Sequence, residues 1–158
     1  MAYPLGFTYV KGPIRYLLST ISSTCTVKAR NPVSLTGLGR TIVEASSTQS
    51  SVWGIATHDA ADSIYPGKML VEIPTEQTIY ATQVQTGVAA SALSAGQAYA
   101  IEKSGNYIRL DADSQVTAKL LIVPRDDGST VDSNDSSVFV SFLGNMLILG
   151  SNSSTSIY

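Results

Sequence analysis

The stretch QAYAIEKSGNYIRL, residues 97–110, is the part of the sequence that decides the fold class. Residues 97–103 and 106–110 are rich in β-forming side chains, and the dipeptide Ser104-Gly105 joins them. A two-residue link containing glycine between two such runs is typical of a tight β-hairpin. This stretch therefore predicts a pair of antiparallel strands.

Further short runs of the same character lie on both sides of this hairpin. They are residues 41–45, 51–57, 69–73, 78–86, 116–123, 138–143 and 146–149. The run at 116–123 is almost wholly apolar, which predicts a strand buried on both faces or at a subunit contact. Gly144-Asn145 predicts a hairpin turn. No stretch after residue 40 keeps a helical period over three turns, so we expect an all-β fold, as a single small antiparallel β-barrel or β-sandwich.

The leading segment differs from the rest of the chain. It carries prolines and aromatic residues without a sustained period of two or 3.6, and a short helix could begin at Pro13. It either packs on its own domain or forms an extended arm that docks on a neighbouring subunit. We expect an N-terminal arm at 1–38, a β-domain at 39–150 and a polar C-terminal tail at 151–158. The arm residues expected to contact a partner surface or a neighbouring subunit are Tyr3, Phe7, Tyr9, Arg15 and Tyr16.

The last apolar run carries more large side chains than one strand face needs. Both of its faces are apolar, which predicts either a buried central hairpin or an oligomer interface. The residues expected to form this core or interface are Val138, Phe139, Val140, Phe142, Met146 and Ile148.

Charge and cysteine usage exclude several kinds of partner. Only 14% of the residues are charged, the net charge is −2, and the ten Lys and Arg residues are scattered singly. Nucleic-acid binding needs a concentrated basic face, so no nucleic acid is expected, and no basic amphipathic stretch suggests a membrane. The single Cys25 cannot form an internal disulfide. No signal peptide or transmembrane helix is expected.

The reactive side chains form no recognisable catalytic pattern. The one histidine, His58, adjoins Asp59, but neighbours on a strand point to opposite faces, and the sequence contains no Gly-x-Ser-x-Gly motif. One His and one Cys exclude the common zinc sets, and the aspartates at 111–113 and 132–135 are read as solvated turns. We therefore expect no catalytic residue, no metal and no cofactor, and we read the lone Trp53 as a core residue.

Four short motifs give the region from 39 to 142 a family resemblance. They are WGIATHDA at 53–60, YPGKMLVEI at 65–73, LSAGQAYAI at 93–101 and the closing apolar strand at 138–143. In this order they resemble the capsid decoration, or cement, proteins of tailed bacteriophages. The resemblance covers about two-thirds of the chain.

The resemblance implies a structural virion protein without enzymatic activity. It would bind the outer capsid surface, with the major capsid protein as partner, after assembly in the host cytoplasm. It would also form a homo-oligomer, with a trimer favoured over a dimer. On this interpretation, a chain lacking residues 1–35 should fold without coating capsids. The alternatives are a head-fibre base, tail or receptor-binding component and, with less support, a carbohydrate-binding β-domain.

Overall fold

The computed structural model describes residues 6–22, 24–35, 41–46, 51–62, 64–84, 93–125 and 137–147. Two short 3₁₀ turns, Ala60–Asp62 and Gly144–Met146, are the helical elements in these ranges. The strands are β1 (Thr8–Lys11), β2 (Ile14–Thr20), β3 (Pro32–Leu35), β4 (Ile42–Glu44), β5 (Gly54–Ala56), β6 (Lys68–Pro74), β7 (Ile79–Gln83), β8 (Ala98–Ser104), β9 (Tyr107–Asp111), β10 (Leu120–Val123) and β11 (Ser137–Phe142). The all-β prediction is confirmed.

The strands form two antiparallel sheets. The first has six strands in the order β1-β7-β11-β10-β8-β9, and the second has five in the order β2-β6-β5-β3-β4. Each sheet curls until an isolated bridge joins its far sides, Val84 to Leu110 in the first and Ile21 to Ile42 in the second. Because no continuous ladder closes either ring, the architecture is sandwich-like and not a closed barrel.

Two hydrophobic cores follow from the alternation along the strands. One face of the first sheet supplies Tyr80, Leu120, Val140 and Phe142 to a core that also takes in Ile55 of the second sheet. The neighbouring residue, Ala56, belongs to a second core on the opposite face of β5. This second core contains the alternating residues of β6 that the sequence pattern groups together, Met69, Val71 and Ile73. Strand β5 of the second sheet is therefore buried on both faces.

A single bent ladder connects the two sheets. Residues 8–11 pair with β7 in the first sheet, and residues 14–20 pair with β6 in the second. The chain turns between them at Gly12, whose φ is +107° and where a Cβ atom would lie 2.6 Å from the Gln77 carbonyl oxygen. Opposite the bend, Thr78 donates its hydroxyl hydrogen bond to the Pro13 carbonyl. We call this place the corner.

The leading segment is part of the sandwich where the structure describes it. Residues 8–11 and 14–20 are the edge strands of the two sheets, and Phe7 is buried in the first core. The expected extended arm is therefore corrected for residues 6–35, and the short helix at Pro13 is wrong because Ile14–Thr20 forms β2. The remaining arm residues, 1–5 and 36–38, lie outside the described residues, as does the tail at 151–158.

This arrangement also overturns the truncation expected from the sequence. Removing residues 1–35 would delete β1, β2 and β3 and would take Phe7 out of the core. The loss of three strands from two sheets leaves no complete ladder at the corner, so the shortened chain is not expected to fold. Substitutions on the surface of these strands are the suitable test of their function.

Of the other local predictions, some are confirmed by the structure and some are wrong. The hairpin of β8 and β9 is confirmed, but its turn is Gly105-Asn106 and not Ser104-Gly105, because Ser104 pairs with Tyr107. The strand expected at 116–123 begins only at Leu120, and Val116 is 78% exposed instead of buried. Gly144-Asn145 lies in a 3₁₀ turn and not in a hairpin turn, because Leu147 bridges to Val52 in a parallel orientation.

One buried amide ties the β8–β9 hairpin to the second sheet. Asn31 is fully buried, its Nδ2 donates to the Asn106 carbonyl at 2.9 Å, and its Oδ1 accepts from the Ile108 N–H at 3.0 Å. The ion pair between Lys103 and Glu44 at 2.8 Å lies at the same junction. Asn31 thus satisfies two backbone groups that no regular ladder reaches.

We predict that Asn31→Ala lowers the free energy of unfolding by about 3 kcal/mol, because it leaves a buried backbone donor and acceptor without partners. Urea denaturation measures the change. Asn106→Ala is the matched control, since its side chain is exposed and its carbonyl is retained. Equal losses for the two variants would contradict the bridging role of Asn31.

We also predict that Gly12→Ala destabilises the protein by about 2 kcal/mol or more, because a non-glycine residue at this φ is strained and its Cβ meets the Gln77 carbonyl. Gly67→Ala is the control: φ is +70° there, but nothing lies within 4 Å of the added Cβ. Thermal unfolding should show the smaller loss for Gly67→Ala. A smaller loss for Gly12→Ala would show that the corner tolerates a side chain.

Candidate docking groove at the corner

An open groove of about 410 Å³ lies on the inner side of the corner, between the two sheets. The edge strands β1 and β2 supply one wall, with Tyr9 and Tyr16. Residues from β5, β6 and the turn before β3 complete the lining, among them Ile55, Leu70 and Arg30. We call this cavity the corner groove.

The two tyrosines make the groove aromatic and accessible. Tyr9 is 41% exposed and Tyr16 is 52% exposed, although both lie on strands next to a core. Tyr9 donates its hydroxyl to the Gly12 carbonyl at 2.6 Å, and its ring meets the Tyr80 ring edge-on at 6.3 Å. These contacts hold the Tyr9 ring in place while one side of it stays open to a partner.

Glu72 links Tyr16 of the groove to the buried Tyr80. Its Oε1 accepts a hydrogen bond of 2.7 Å from the buried Tyr80 hydroxyl, and the Tyr16 hydroxyl lies 3.5 Å from its Oε2. Burial, followed by the charge of Glu72, raises the pKa of Tyr80 far above its ordinary range. The same two causes raise the pKa of Tyr16. The carboxylate therefore holds both phenols in the protonated, donating form.

Arg30 supplies the positive charge of the groove. It adopts φ of +70°, its N–H donates to the Ala56 carbonyl at 2.7 Å, and its carbonyl accepts from the Phe7 N–H at 2.9 Å. These two backbone bonds fix the strained residue between the sheets. Its exposed side chain lines the groove without an ion pair among the described residues, so its charge is available to an incoming group.

The structure separates the residues that the sequence grouped as an arm. Tyr9, Tyr16 and Phe7 all line the corner groove, but Phe7 is only 1% exposed and belongs to the first core, so the two tyrosines are the ones available to a neighbour. Arg15 is exposed but follows the opposite face of β2 from Tyr16, because side chains alternate along a strand. Tyr3 lies outside the described residues.

The apolar run expected to form a core or an oligomer interface mostly forms the core. Val138, Val140 and Phe142 are buried there, and Phe142 packs against Phe7 with a ring separation of 5.6 Å. Phe139 and Met146 are half-buried, and the guanidinium of Arg125 covers the Phe139 ring at 4.0 Å. Ile148 lies outside the described residues.

Sequence reasoning missed Arg30, Glu72 and Leu70 as groove residues. Glu72 gives one signal. It is a charged residue between the core residues Val71 and Ile73, so alternation along β6 turns its side chain away from their core. Arg30 gives none, since its positive φ belongs to the turn that the Asn31 N–H closes on the Lys28 carbonyl, and the sequence has arginine there instead of the glycine or asparagine typical of that position.

The histidine and its neighbouring aspartate do not form a catalytic pair. Asp59 accepts from the Ala29 N–H at 2.7 Å and lies 3.5 Å from Lys28, and these contacts lower its pKa. The His58 ring faces the Asp59 backbone carbonyl instead, with Nδ1 at 3.0 Å. The carboxylate is thus engaged in fixing the turn at Ala29.

A second cavity, of about 290 Å³, lies beside Cys25. Its charged lining residues are engaged elsewhere, Lys28 with Asp59 and Lys103 with Glu44. The cavity therefore offers no unpaired charge comparable with Arg30.

The residues that resemble the start of a calcium loop form a capped turn. The N–H of Asp113 donates to Asp111 Oδ1 at 3.0 Å, which is a local Asx-type bond. Across the described ranges, no group of three or more His, Cys, Asp or Glu residues could hold a metal ion. The second oxygen-rich loop, at 132–135, lies outside them.

One buried cation remains away from the groove. Lys119 is fully buried just before β10, its Nζ donates to the Thr117 carbonyl at 3.3 Å, and burial lowers its pKa. Its backbone bonds to Tyr99 and Leu143 place it between β8 and the end of β11. This position makes it part of the packing of the first sheet.

Among the described residues, no helix is long and apolar enough to cross a membrane. Comparison of the chain with protein-family models, with curated proteins and with solved structures finds no match.

We predict that the stability advantage of the wild type over Tyr80→Phe shrinks above pH 10. At pH 7 the free energy of unfolding of Tyr80→Phe should be about 2 kcal/mol lower than that of the wild type, because the variant lacks the hydrogen bond to the Glu72 carboxylate. Because the folded pKa of Tyr80 is raised above the unfolded value of 10.0, its contribution is complete below that pH and is lost above it. Above pH 10 the free energy of unfolding of the wild type should therefore fall by about 1.4 kcal/mol per pH unit more than that of the variant.

Urea denaturation of both proteins at neutral and at alkaline pH measures this difference. A gap between wild type and Tyr80→Phe that stays constant from pH 7 to about 11 would contradict the raised pKa of Tyr80.

Proposed function

We propose that this chain is a structural virion protein that binds the outer surface of a phage capsid and cements its major capsid subunits. The corner groove would be the binding surface, with Tyr9, Tyr16 and Arg30 as its principal contacts. The single observation that carries this proposal is the pair of exposed tyrosines in one groove beside Arg30, which has no ion pair within the described ranges.

The composition of the groove suits a protein segment as its ligand. Tyrosine and arginine are the residues that most often dominate the binding energy of protein interfaces, where apolar surroundings exclude water from them. Ile55 and Leu70 supply such surroundings. A capsid segment with an apolar side chain for the groove and a carboxylate for Arg30 would satisfy both kinds of contact.

The fold is suited to a rigid attachment. Tyr9 and Tyr16 belong to ladders of different sheets, and the corner fixes the distance between them. A partner that binds both side chains therefore meets a surface that loses little conformational entropy on association. Arg15 lies on the other face of β2 and would not take part in a contact made through the groove.

Cementing would operate by mass action. A protein that binds the assembled shell and not the separated subunits stabilises the shell, by about 2.7 kcal/mol per site when its free concentration is one hundred times Kd. Many sites on one particle add these contributions. No catalytic step is required, and the proposed location is the capsid surface of the virion.

We predict that Tyr9→Ala and Arg30→Asn each weaken capsid binding at least about tenfold, since each removes a central contact of the groove. Asparagine is chosen because it tolerates positive φ while removing the charge. Co-sedimentation with shells of the major capsid protein encoded in the same genome measures binding.

Val116→Asn is the matched control. Val116 is exposed and does not line the groove, so this substitution should leave capsid binding unchanged. Circular dichroism checks that each variant is folded. Folded Tyr9→Ala and Arg30→Asn proteins that coat shells as the wild type does would refute the proposed surface. Recovery of the wild type on purified tails instead of heads would favour a tail or fibre component.

Carbohydrate binding is the second candidate, because the same exposed tyrosines could stack on a sugar ring. Trp53 does not contribute to such a platform, since it is half-buried against the second core and donates to Ser19 Oγ at 3.0 Å. A glycan-binding screen that gives hits dependent on Tyr9 would favour this candidate over capsid binding.

A further inference from the structure

Strand β2 presents an open edge to solvent. It is the outermost strand of the second sheet, and β6 is its ladder partner on one side along all seven residues, Ile14–Thr20. Within the part of the chain that the structure describes, the backbone of these residues makes no hydrogen bond outside that ladder. Half of the strand's N–H and C=O groups therefore point towards a position where another strand could pair.

The other sheet edges are irregular, short or bridged within the strand, whereas β2 is bridged to β4 only beyond its end, at Ile21. β1 carries a register shift between Tyr9 and Lys11, β4 has only three residues, and β9 is bridged through Leu110 to Val84. Natural proteins commonly protect edge strands by such irregularity, by short length or by charge. β2 is long and regular, and Arg15 near its start is its one charged residue.

Two apolar side chains on β2 are exposed on the same face. Tyr16 is 52% exposed and Leu18 is 47% exposed, while Leu17 between them packs against the second core. Exposed large apolar residues adjacent to an unpaired edge are the usual composition of a pairing surface and not of a solvated one.

We propose that β2 pairs antiparallel with β2 of a second copy of this chain, about a two-fold axis at Leu17. In this register Tyr16 of each copy lies opposite Leu18 of the other, so each of these exposed side chains gains an apolar neighbour on one side. Arg15 lies opposite Ser19 of the second copy, and no two like charges meet. The strand is thus complementary to itself, as a two-fold contact requires.

The residues favour this register over its neighbours. Residues that lie opposite each other in an antiparallel pair have their side chains on the same face of the sheet. The two-fold axis must therefore pass through a residue of β2 and not between two residues. An axis at Tyr16 would pair five residues instead of seven and would place Arg15 opposite Leu17. The axis at Leu17 alone pairs the complete strand of both copies.

The contact would join the two five-stranded sheets into one continuous sheet of ten strands. The corner grooves of the two copies would lie side by side across the axis, since Tyr16 lines the groove as well. This inference goes beyond capsid binding and does not depend on it. It implies a dimer, whereas the trimer implied by the family resemblance stays a prediction.

The test is sedimentation equilibrium of the purified full chain, from low micromolar to near-millimolar concentration. We expect a monomer–dimer equilibrium for the wild type. An acidic variant, Tyr16→Glu with Leu18→Glu, and a basic variant, Tyr16→Lys with Leu18→Lys, should each raise the dimer dissociation constant more than about tenfold, because like charges then face each other.

An equimolar mixture of the acidic and the basic variant should form dimers again, because every glutamate would face a lysine in the proposed register. Val116→Glu is the matched control and should dimerise as the wild type does, since it adds a charge at an exposed apolar residue away from β2. Circular dichroism confirms folding.

Three outcomes would overturn the inference. The first is a wild type that stays monomeric at every concentration or sediments as a trimer. The second is an acidic variant that is folded and dimerises as strongly as the wild type. The third is a mixture of the two variants that remains monomeric. None of these measurements uses capsids, so their failure is distinct from a failure of the capsid proposal.

Discussion

The close approach of backbone to backbone at the corner is the constraint on which the rest of this structure depends. Residues 8–20 and residues 68–81 form one antiparallel ladder that continues from one sheet into the other. The bend needs a residue without a Cβ atom at Gly12, because the opposite chain passes directly beneath it. Once this bend is fixed, the angle and separation of the two sheets follow.

Buried polar groups then hold the sheets in one relative position. The Tyr80–Glu72 hydrogen bond joins the two arms of the bent ladder from inside, and Asn31 joins the second sheet to the β8–β9 hairpin. Hydrophobic burial alone is non-directional and would allow the sheets to slide. Satisfied polar contacts permit only one alignment, since any shift leaves a buried group without a partner.

The corner groove and the open edge of β2 are both consequences of this geometry. The bend places Tyr9 and Tyr16 on adjoining edge strands and leaves space between them that the cores do not fill. It also places β2 at the boundary of the second sheet, where one side of its backbone lacks a neighbour among the described residues. The proposed capsid contact and the proposed self-association therefore use surfaces that the same bend creates.

The sequence by itself determined the class of structure and several local elements. Alternation at Met69, Val71 and Ile73 and the glycine turn of the β8–β9 hairpin depend on neighbours in the chain, so they could be predicted. The sequence also singled out Tyr9 and Tyr16. Only the tertiary structure decided that Phe7 turns inward and that Val116 is exposed. It also decided that Arg30 and Glu72 line the same groove as the two tyrosines. The reason is that β1 and β2 pair with strands about sixty residues away, and pairing at such a separation leaves no periodic signal in either segment.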